Sequence, residues 1–391
     1  MNHIKRLIIP SVSDILDHGA HVFHTGFAGA DAESGAAPAG FHQRSDAIEL
    51  VPGSRTTTID GQPVNEIWNE FQARVSAFNA VADAQTALIT FPVNRATEKV
   101  AVPSNPGMQQ ATEFGRPEKI RTKLVTRGFP IEHFDLGAGY TQEFLDEATS
   151  QQITAVALEA EMAYSLLRQE ISLEALFTSA NSTDEDGVNV KRLYNNDGEV
   201  PPKWKRWTHD GTHTHYLSSS AGAWAAADFD TLEEHLIHHG FGDNGVGLIV
   251  QAYRDDLAVI RALSEFVPAE SADRPTITTG PIVGPTRGST IPGFPAQGYV
   301  GPFTIVRNDL IPSGYLLAQA VAGSFSPRNP VGLRVHSNPS ARGLRLFEGP
   351  YRYPLLESVY DCYLGAGVGQ RGAAVVMEQG TDDYTDPTFD T

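Results

Sequence analysis

Histidine is the residue whose spacing looks most like chemistry in this 391-residue chain. In WTHDGTHTHYL, His209, His213 and His215 lie close together, and in EEHLIHHG, His235 and His239 stand four apart, on one face if that segment is helical. Neutral imidazoles at such spacings hold zinc and similar cations. Two features weigh against a metal centre. Leu236 follows His235, so there is no HExxH motif, and no cysteine joins either group to close a ligand set. On a strand through 213 to 217, His213 and His215 would share a face and serve as ordinary hydrogen-bonding side chains. His213, His215, His235 and His239 therefore stand as weak metal candidates, and no cofactor is expected.

Other chemistries find less support. Gly367, Gly369 and Gly372 in LGAGVGQRGAAVV match a dinucleotide fingerprint, but the β-branched run and the 19 residues left after Gly372 cannot supply the roughly 30-residue unit that motif needs. Those glycines are expected to be bends or bulges in a long sheet. There is no GxSxG and no GxxxxGK[ST], and the lone Cys362, between Tyr360 and Tyr363, has no base nearby and is expected to pack. Carboxylates are plentiful without a pair singled out as acid and base. The chain is expected not to be an enzyme, a histidine-dependent metalloenzyme being the catalytic alternative.

Composition narrows the partners. With 47 acidic and 29 basic residues the formal net charge is −18, the opposite of the clustered Lys and Arg that wrap nucleic acid. One cysteine permits no intrachain disulfide and fits a reducing compartment. Pro10 interrupts the apolar run near the amino terminus, and no stretch approaches the roughly 18 residues of a membrane span, so no membrane partner and synthesis in the cytoplasm are expected.

The elements that would position these residues are uneven in size. Residues 25 to 40, TGFAGADAESGAAPAG, are small and suit an extended arm. A helix follows Pro63, with Ile67, Phe71, Val75, Phe78 and Val81 at helical spacing. From Thr141 to Asp186 there is neither Gly nor Pro, and Ile153, Val156, Ala160, Tyr164, Leu167 and Ile171 trace one stripe. With Thr141 as cap and Glu143 in the first turn, a helix from there to about Leu176 would span roughly 54 Å. No second helix of matching length is evident, so this rod is expected to lie across a sheet or a neighbouring chain. Further on, a short helix carries Phe229, Leu232, Leu236 and Ile237 inward. VGLIVQAY reads as a buried strand, RDDLAVIRALSEFV as a helix, and YVGPFTIVRN, YLLAQAVAG and GAAVVMEQG as strands. Residues 268 to 302 form a long loop rich in Pro and Gly, and the tail TDDYTDPTFDT is expected to be loose.

The segment GMQQATEFGRPEKIRTKLVTRGFPIEHFD, residues 107 to 135, alternates like a strand from Lys119: Ile120, Thr122 and Leu124 oppose Arg121 and Lys123, then Phe129 and Ile131 oppose Glu132. ATEKVAVP, residues 96 to 103, could pair with 119 to 131 in an antiparallel hairpin, although a two-stranded ribbon is marginal alone in water. Lys99, Arg116, Lys119, Arg121, Lys123 and Arg127 make it basic within an acidic chain. The expectation is that these residues, with Phe129 and Ile131, contact an acidic neighbouring copy. The alternative is a sheet edge whose charges face solvent.

In this order the parts resemble the major capsid proteins of tailed double-stranded DNA bacteriophages, the Hong Kong 97-like fold. The resemblance runs from about Val64 to Val376 through EIWNEFQARVSAFN, QQATEFGRP leading to GFPIEHFD, ISLEALFTSA, and YDCYLGAGVGQRGAAVVMEQG. It implies an α+β fold with an N-terminal arm and helix (1–95), an extended β-hairpin loop (96–140), and a peripheral domain (141–240) whose spine helix is 141–176. An axial domain (241–324) and a return to the peripheral domain with an acidic tail (325–391) complete it. It also implies self-assembly into pentamers and hexamers of an icosahedral shell in the virion, formed in the host cytoplasm around DNA held without sequence specificity. Portal, scaffolding or decoration proteins would be further partners. Some relatives lose a scaffolding segment to a protease, which is not expected here. In one branch a Lys of the extended loop crosslinks to an Asn of another subunit, and Lys119 or Lys123 would stand in that place, without a matching partner motif. An encapsulin-like nanocompartment shell is the nearest alternative.

Overall fold

A computed structural model of the chain describes residues 57–87, 89–102, 123–184, 187–242, 246–269, 296–349 and 355–389, all within the compact unit 45–391. The arm, the expected hairpin tip, the residues Arg116, Lys119 and Arg121, and most of the proline-rich loop lie outside them.

Two sheets organise these residues. The first joins β1 (Thr90–Val93), β13 (Val331–Val335), β15 (Leu355–Val368) and β14 (Arg345–Glu348) in that order, with β4 (Glu132–Thr141) also antiparallel to β15. Two helices cover it, α1 (Val64–Thr86) and α3 (Ser150–Phe177). Ile67, Phe71 and Val75 of α1 meet Ile153, Ala157, Ala160 and Tyr164 of α3, and both sets close on Leu344, Leu346, Tyr360 and Cys362 of the sheet side. Burial pushes the Cys362 thiol up to about 11, so it packs as an inert group.

The second sheet has seven strands in the order β7 (Tyr216–Ser218), β16 (Ala374–Glu378), β12 (Tyr315–Val321), β8 (Gly247–Ala252), β11 (Phe303–Arg307), β10 (Ala296–Val300) and β9 (Val267–Pro268). Its central strands are near-continuous apolar runs because both faces are covered. On one face, Phe229, Leu232 and Leu236 of α4 (Ala226–Ile237) and Leu257 and Ile260 of α5 (Arg254–Arg261) pack on Val250, Phe303, Ile305 and Val375. On the other, Leu317 and Val376 join Leu176 and Phe177 of α3 and Val331, Leu333 and Leu364 of the first sheet, one apolar cluster shared by the two sheets. Two small ribbons complete the strands: β2 (Thr97–Val102) with β3 (Lys123–Gly128), and β5 (Ser182–Thr183) with β6 (Asn189–Val190). No helix among the described residues is long and apolar enough to cross a membrane.

Several expectations need correction. The long helix begins at Ser150, not Thr141. Thr141 caps only a short α2 (Gln142–Glu147), Ala148 turns extended, and Thr149 with Gln152 forms a capping box that starts the rod afresh. Twenty-eight residues then span about 42 Å. The buried face is rotated from the apolar stripe and includes polar groups: Glu161 takes a bidentate ion pair from Arg74 at 2.6 and 2.8 Å, and Arg168 donates to Thr86. A partner helix does exist, since α1 lies along α3 within this chain. The final strand, β16, joins the seven-stranded sheet, and it is β15 that runs through the sheet under the long helix. The acidic tail is docked: Tyr384 Oη donates to Phe177 O at 2.7 Å, Phe389 packs edge-on against Phe177, and Asp386 accepts from Ser179 N. Finally, Gly367, Gly369 and Gly372 are sites of close approach. A Cβ on them would meet Gly128 O at 2.9 Å, the Phe91 ring at 2.4 Å and the His239 ring at 2.7 Å.

Candidate functional site

The two histidine motifs, distant in sequence, meet in space. His209, His213 and His215 lie on the chain entering β7, while His235 sits on α4 and His238 and His239 follow its last turn. Gly240, at φ 85°, ends the helix in a left-handed conformation, and a Cβ there would strike the Trp204 ring at 2.6 Å. That reversal holds the helix end against the 204–215 segment. One ring nitrogen each from His209, His213, His238 and His239 falls within 4.8 Å of all the others.

The hydrogen bonds assign part of the set. His215 Nδ1 donates to Ala374 O at 2.6 Å, which leaves its Nε2 as an acceptor 3.0 Å from His213 Nε2. His213 Nε2 is also 3.0 Å from His239 Nε2, so a proton on His213 Nε2 would face two ring nitrogens. His238 Nε2 is buried with no hydrogen-bond partner among the described residues. Burial holds His213 down at about 4 and His238 at about 3, with neighbouring histidines adding to it, and pushes His215 and His239 well below the usual range. The rings are thus neutral donors near pH 7. Asp210 turns back on Thr212, accepting from its N and Oγ1, so it supplies no base here. Of the four candidates from sequence, His213 and His239 belong to the cluster. His235 is half-buried and bonded to Thr231 O, and His215 stands behind His213. His209 and His238 take their places. Their signal was already present in the WTHDGTH and HHG motifs, but only the fold brings the two together.

Beside the histidines lies an ionic hub. Arg371, with no exposed side-chain surface, uses all five N–H donors: Nε to Arg192 O, one terminal nitrogen to Asp197 Oδ1 and Glu199 Oε2, the other to Leu193 O and Asp197 Oδ2, at 2.6 to 3.1 Å. Its guanidinium lies 4.5 Å from the Tyr194 ring centroid, and Tyr194 stacks on His239. Lys191 and Asn181 also bond Asp197.

The ribbon roots in this hub. Arg127, expected at a subunit contact, is 3% exposed and binds Glu199 in a fork at 2.6 and 2.9 Å. Phe129 is fully buried, edge-on to Phe91, with Val93 and Val100 beside it. Ile131 is half-buried. These residues spend themselves on their own chain. Lys99 is exposed, and Leu124, on the same ribbon, is 57% exposed. The backbone of Lys123 pairs with Val102. A second open surface runs along α3, where Leu158, Met162 and Leu166 recur every four residues on its outer face, Met162 being 65% exposed.

No protein-family model and no curated protein matches this chain. Among solved structures, a chain of Mycobacterium phage Patience is 31% identical, with a TM-score of 0.61, covering 86% of this chain and 94% of that one. The capsid of a native GTA particle is 14% identical at TM-score 0.44, over 76% of this chain and 90% of that one. An encapsulin complex from Synechococcus elongatus is 14% identical at TM-score 0.41, over 78% and 91%.

Proposed function

This chain belongs to the major capsid proteins of tailed double-stranded DNA bacteriophages, with their Hong Kong 97-like fold, and from that premise we propose how it builds a shell. Its role is structural: copies associate with one another into the capsid of a virion. The observation that carries this is the 31% identity sustained over 86% of this chain and 94% of the phage chain.

In the proposed assembly, pentamers and hexamers close into an icosahedral shell in the host cytoplasm. The basic ribbon, with Lys99, Lys123, Arg116, Lys119 and Arg121, reaches an acidic surface of a neighbouring copy. Supporting this is the contrast between the ribbon and a chain of net charge −18. The outer face of α3, with Leu158, Met162 and Leu166, is covered by a second copy, since an apolar helix stripe open in the isolated chain gains most by burial between copies. The enclosed double-stranded DNA is held without sequence readout by an acidic wall that does not grip the polyanion. Portal, scaffolding and decoration proteins would be further partners.

Electron microscopy of the purified full-length chain tests the reading. Closed shells are expected, and shells recovered from infected cells are expected to hold DNA. A chain that stays monomeric under all assembly conditions, or shells filled with a cargo enzyme in place of DNA, would overturn it.

A further inference from the structure

We propose that His209, His213, His238 and His239 form a binding site for a divalent transition-metal cation, zinc or a neighbour such as cobalt or nickel, that staples the 204–215 segment to the end of α4. Three observations carry it. Four ring nitrogens from two separate segments lie within 4.8 Å of one another. Tetrahedral zinc with Zn–N bonds of about 2.0–2.1 Å sets its donors roughly 3.3 Å apart, so small ring rotations complete the geometry. His213 and His239 already stand 3.0 Å apart at their Nε2 atoms.

The second observation is an incomplete set of hydrogen bonds. His238, 7% exposed, has its Nε2 buried with no partner among the described residues, in a fold that gives all five donors of nearby Arg371 an acceptor. Nε2 of His213 stands 3.0 Å from Nε2 of both His215 and His239, and a single ring nitrogen cannot hydrogen-bond both with one proton. A cation accepting lone pairs from His213, His238 and His239 satisfies what hydrogen bonds leave over.

The third is the surrounding support. Tyr194 stacks on His239 at a centroid distance of 5.5 Å beneath Arg371, and the ring of His239 closes on Gly372, where a Cβ would meet it at 2.7 Å. Such outer contacts fix the angle of ligand rings. His238 and His239 are buried while His209 and His213 are half-buried, which leaves an entry path on one side. The donor set is all imidazole, suited to zinc, nickel, cobalt or copper rather than to calcium or magnesium. With four protein ligands and no carboxylate base, the ion is structural, a staple between two segments and not a hydrolytic centre.

The test uses the full-length chain, stripped with a chelator and then loaded with Zn(II) or Co(II). Retained metal after gel filtration, the visible spectrum of the cobalt form and the thermal midpoint are read together. Expected are one ion per chain, the intense absorption of four-coordinate cobalt, and a midpoint that rises with metal. His209→Gln, at the half-buried rim, is expected to weaken binding at least about tenfold, as is His239→Gln. His235→Gln, on the same helix but outside the ligand set, is expected to bind like the wild type. His239→Gln could fail to fold, and then His209→Gln decides. No retained ion, a six-coordinate cobalt spectrum, or equal loss in His235→Gln and His209→Gln would overturn the proposal. Shell formation is scored separately and does not depend on it.

Discussion

At the residue scale, Arg371 organises more of this chain than any exposed charge. Its five donors reach the backbone of Arg192 and Leu193 and the carboxylates of Asp197 and Glu199, and Arg127 brings the ribbon root to the same Glu199. Replacing Arg371 by Met keeps an unbranched apolar stem and removes every donor, leaving two partly buried carboxylates short of partners. Arg371→Met is expected to cost about 3–5 kcal/mol, read as a lower midpoint in chemical denaturation. The same hub sets an acid limit. Burial pushes Asp197 and Glu199 up, but hydrogen bonds from Arg371, Lys191 and Asn181 to Asp197, and from Arg127 to Glu199, more than offset it, so both carboxyls stay below their ordinary values. A carboxyl depressed in the folded state contributes stability that is complete above its unfolded pKa, near 4, and lost as pH falls toward its folded one. Denaturation midpoints are therefore expected to drop as pH falls below about 4.5, with Tyr194, Arg127 and Arg371 the other ionisable groups facing the pair. Arg371→Met is expected to flatten that acid slope, because the depression it causes is gone. An unchanged slope would place the acid-labile carboxyls elsewhere.

At the scale of elements, periodicity marked what burial makes periodic. The α1 positions Ile67, Phe71 and Val75 are buried as their spacing implies, and the ribbon pairs Thr97–Val102 with Lys123–Gly128. Polar residues interrupt the apolar stripe of α3: Glu161, Arg168 and Ser172 sit on its buried face because Arg74 and Thr86 of α1, and Tyr164 Oη and Arg168 O within α3 itself, satisfy them. No apolar count reveals a buried ion pair. Thr149 was likewise hidden, since a helix can restart at a capping box without Gly or Pro to mark the break. The tail is acidic by composition, yet its aromatic residues Tyr384 and Phe389 dock it. The histidine site was half legible, its motifs visible and their meeting fixed only by the fold. One consequence of the rotated α3 face is testable. Leu158 and Met162 lie outside the core, so Leu158→Ser with Met162→Ser is expected to change the stability of the isolated chain by no more than about 0.5 kcal/mol per site. Shells counted by electron microscopy are expected to be sharply reduced. Normal shells from this variant would show that the stripe faces solvent in the assembly.

At the scale of the whole molecule, two electrostatic effects oppose each other during assembly. Copies with a net charge of −18 repel at long range, while the proposed ribbon contact would attract an acidic neighbour at contact distance. Salt acts unequally on them. Raising ionic strength from about 0.01 to 0.15 M shortens the screening length from roughly 30 to 8 Å, which removes most repulsion between whole chains yet leaves charges in contact, partly desolvated, less affected. Assembly followed by light scattering is therefore expected to speed up over that range and to decline only at much higher salt, where the ribbon contact is screened in turn. Lys99→Glu separates the two effects. It adds to the repulsion and reverses an exposed ribbon charge, so it is expected to slow assembly at every salt concentration and to shift the optimum upward. Were repulsion the whole story, enough salt would restore the variant to the wild-type rate. Full recovery would therefore count against the ribbon as a contact, whereas a deficit that persists once long-range repulsion is screened assigns Lys99 to the interface itself.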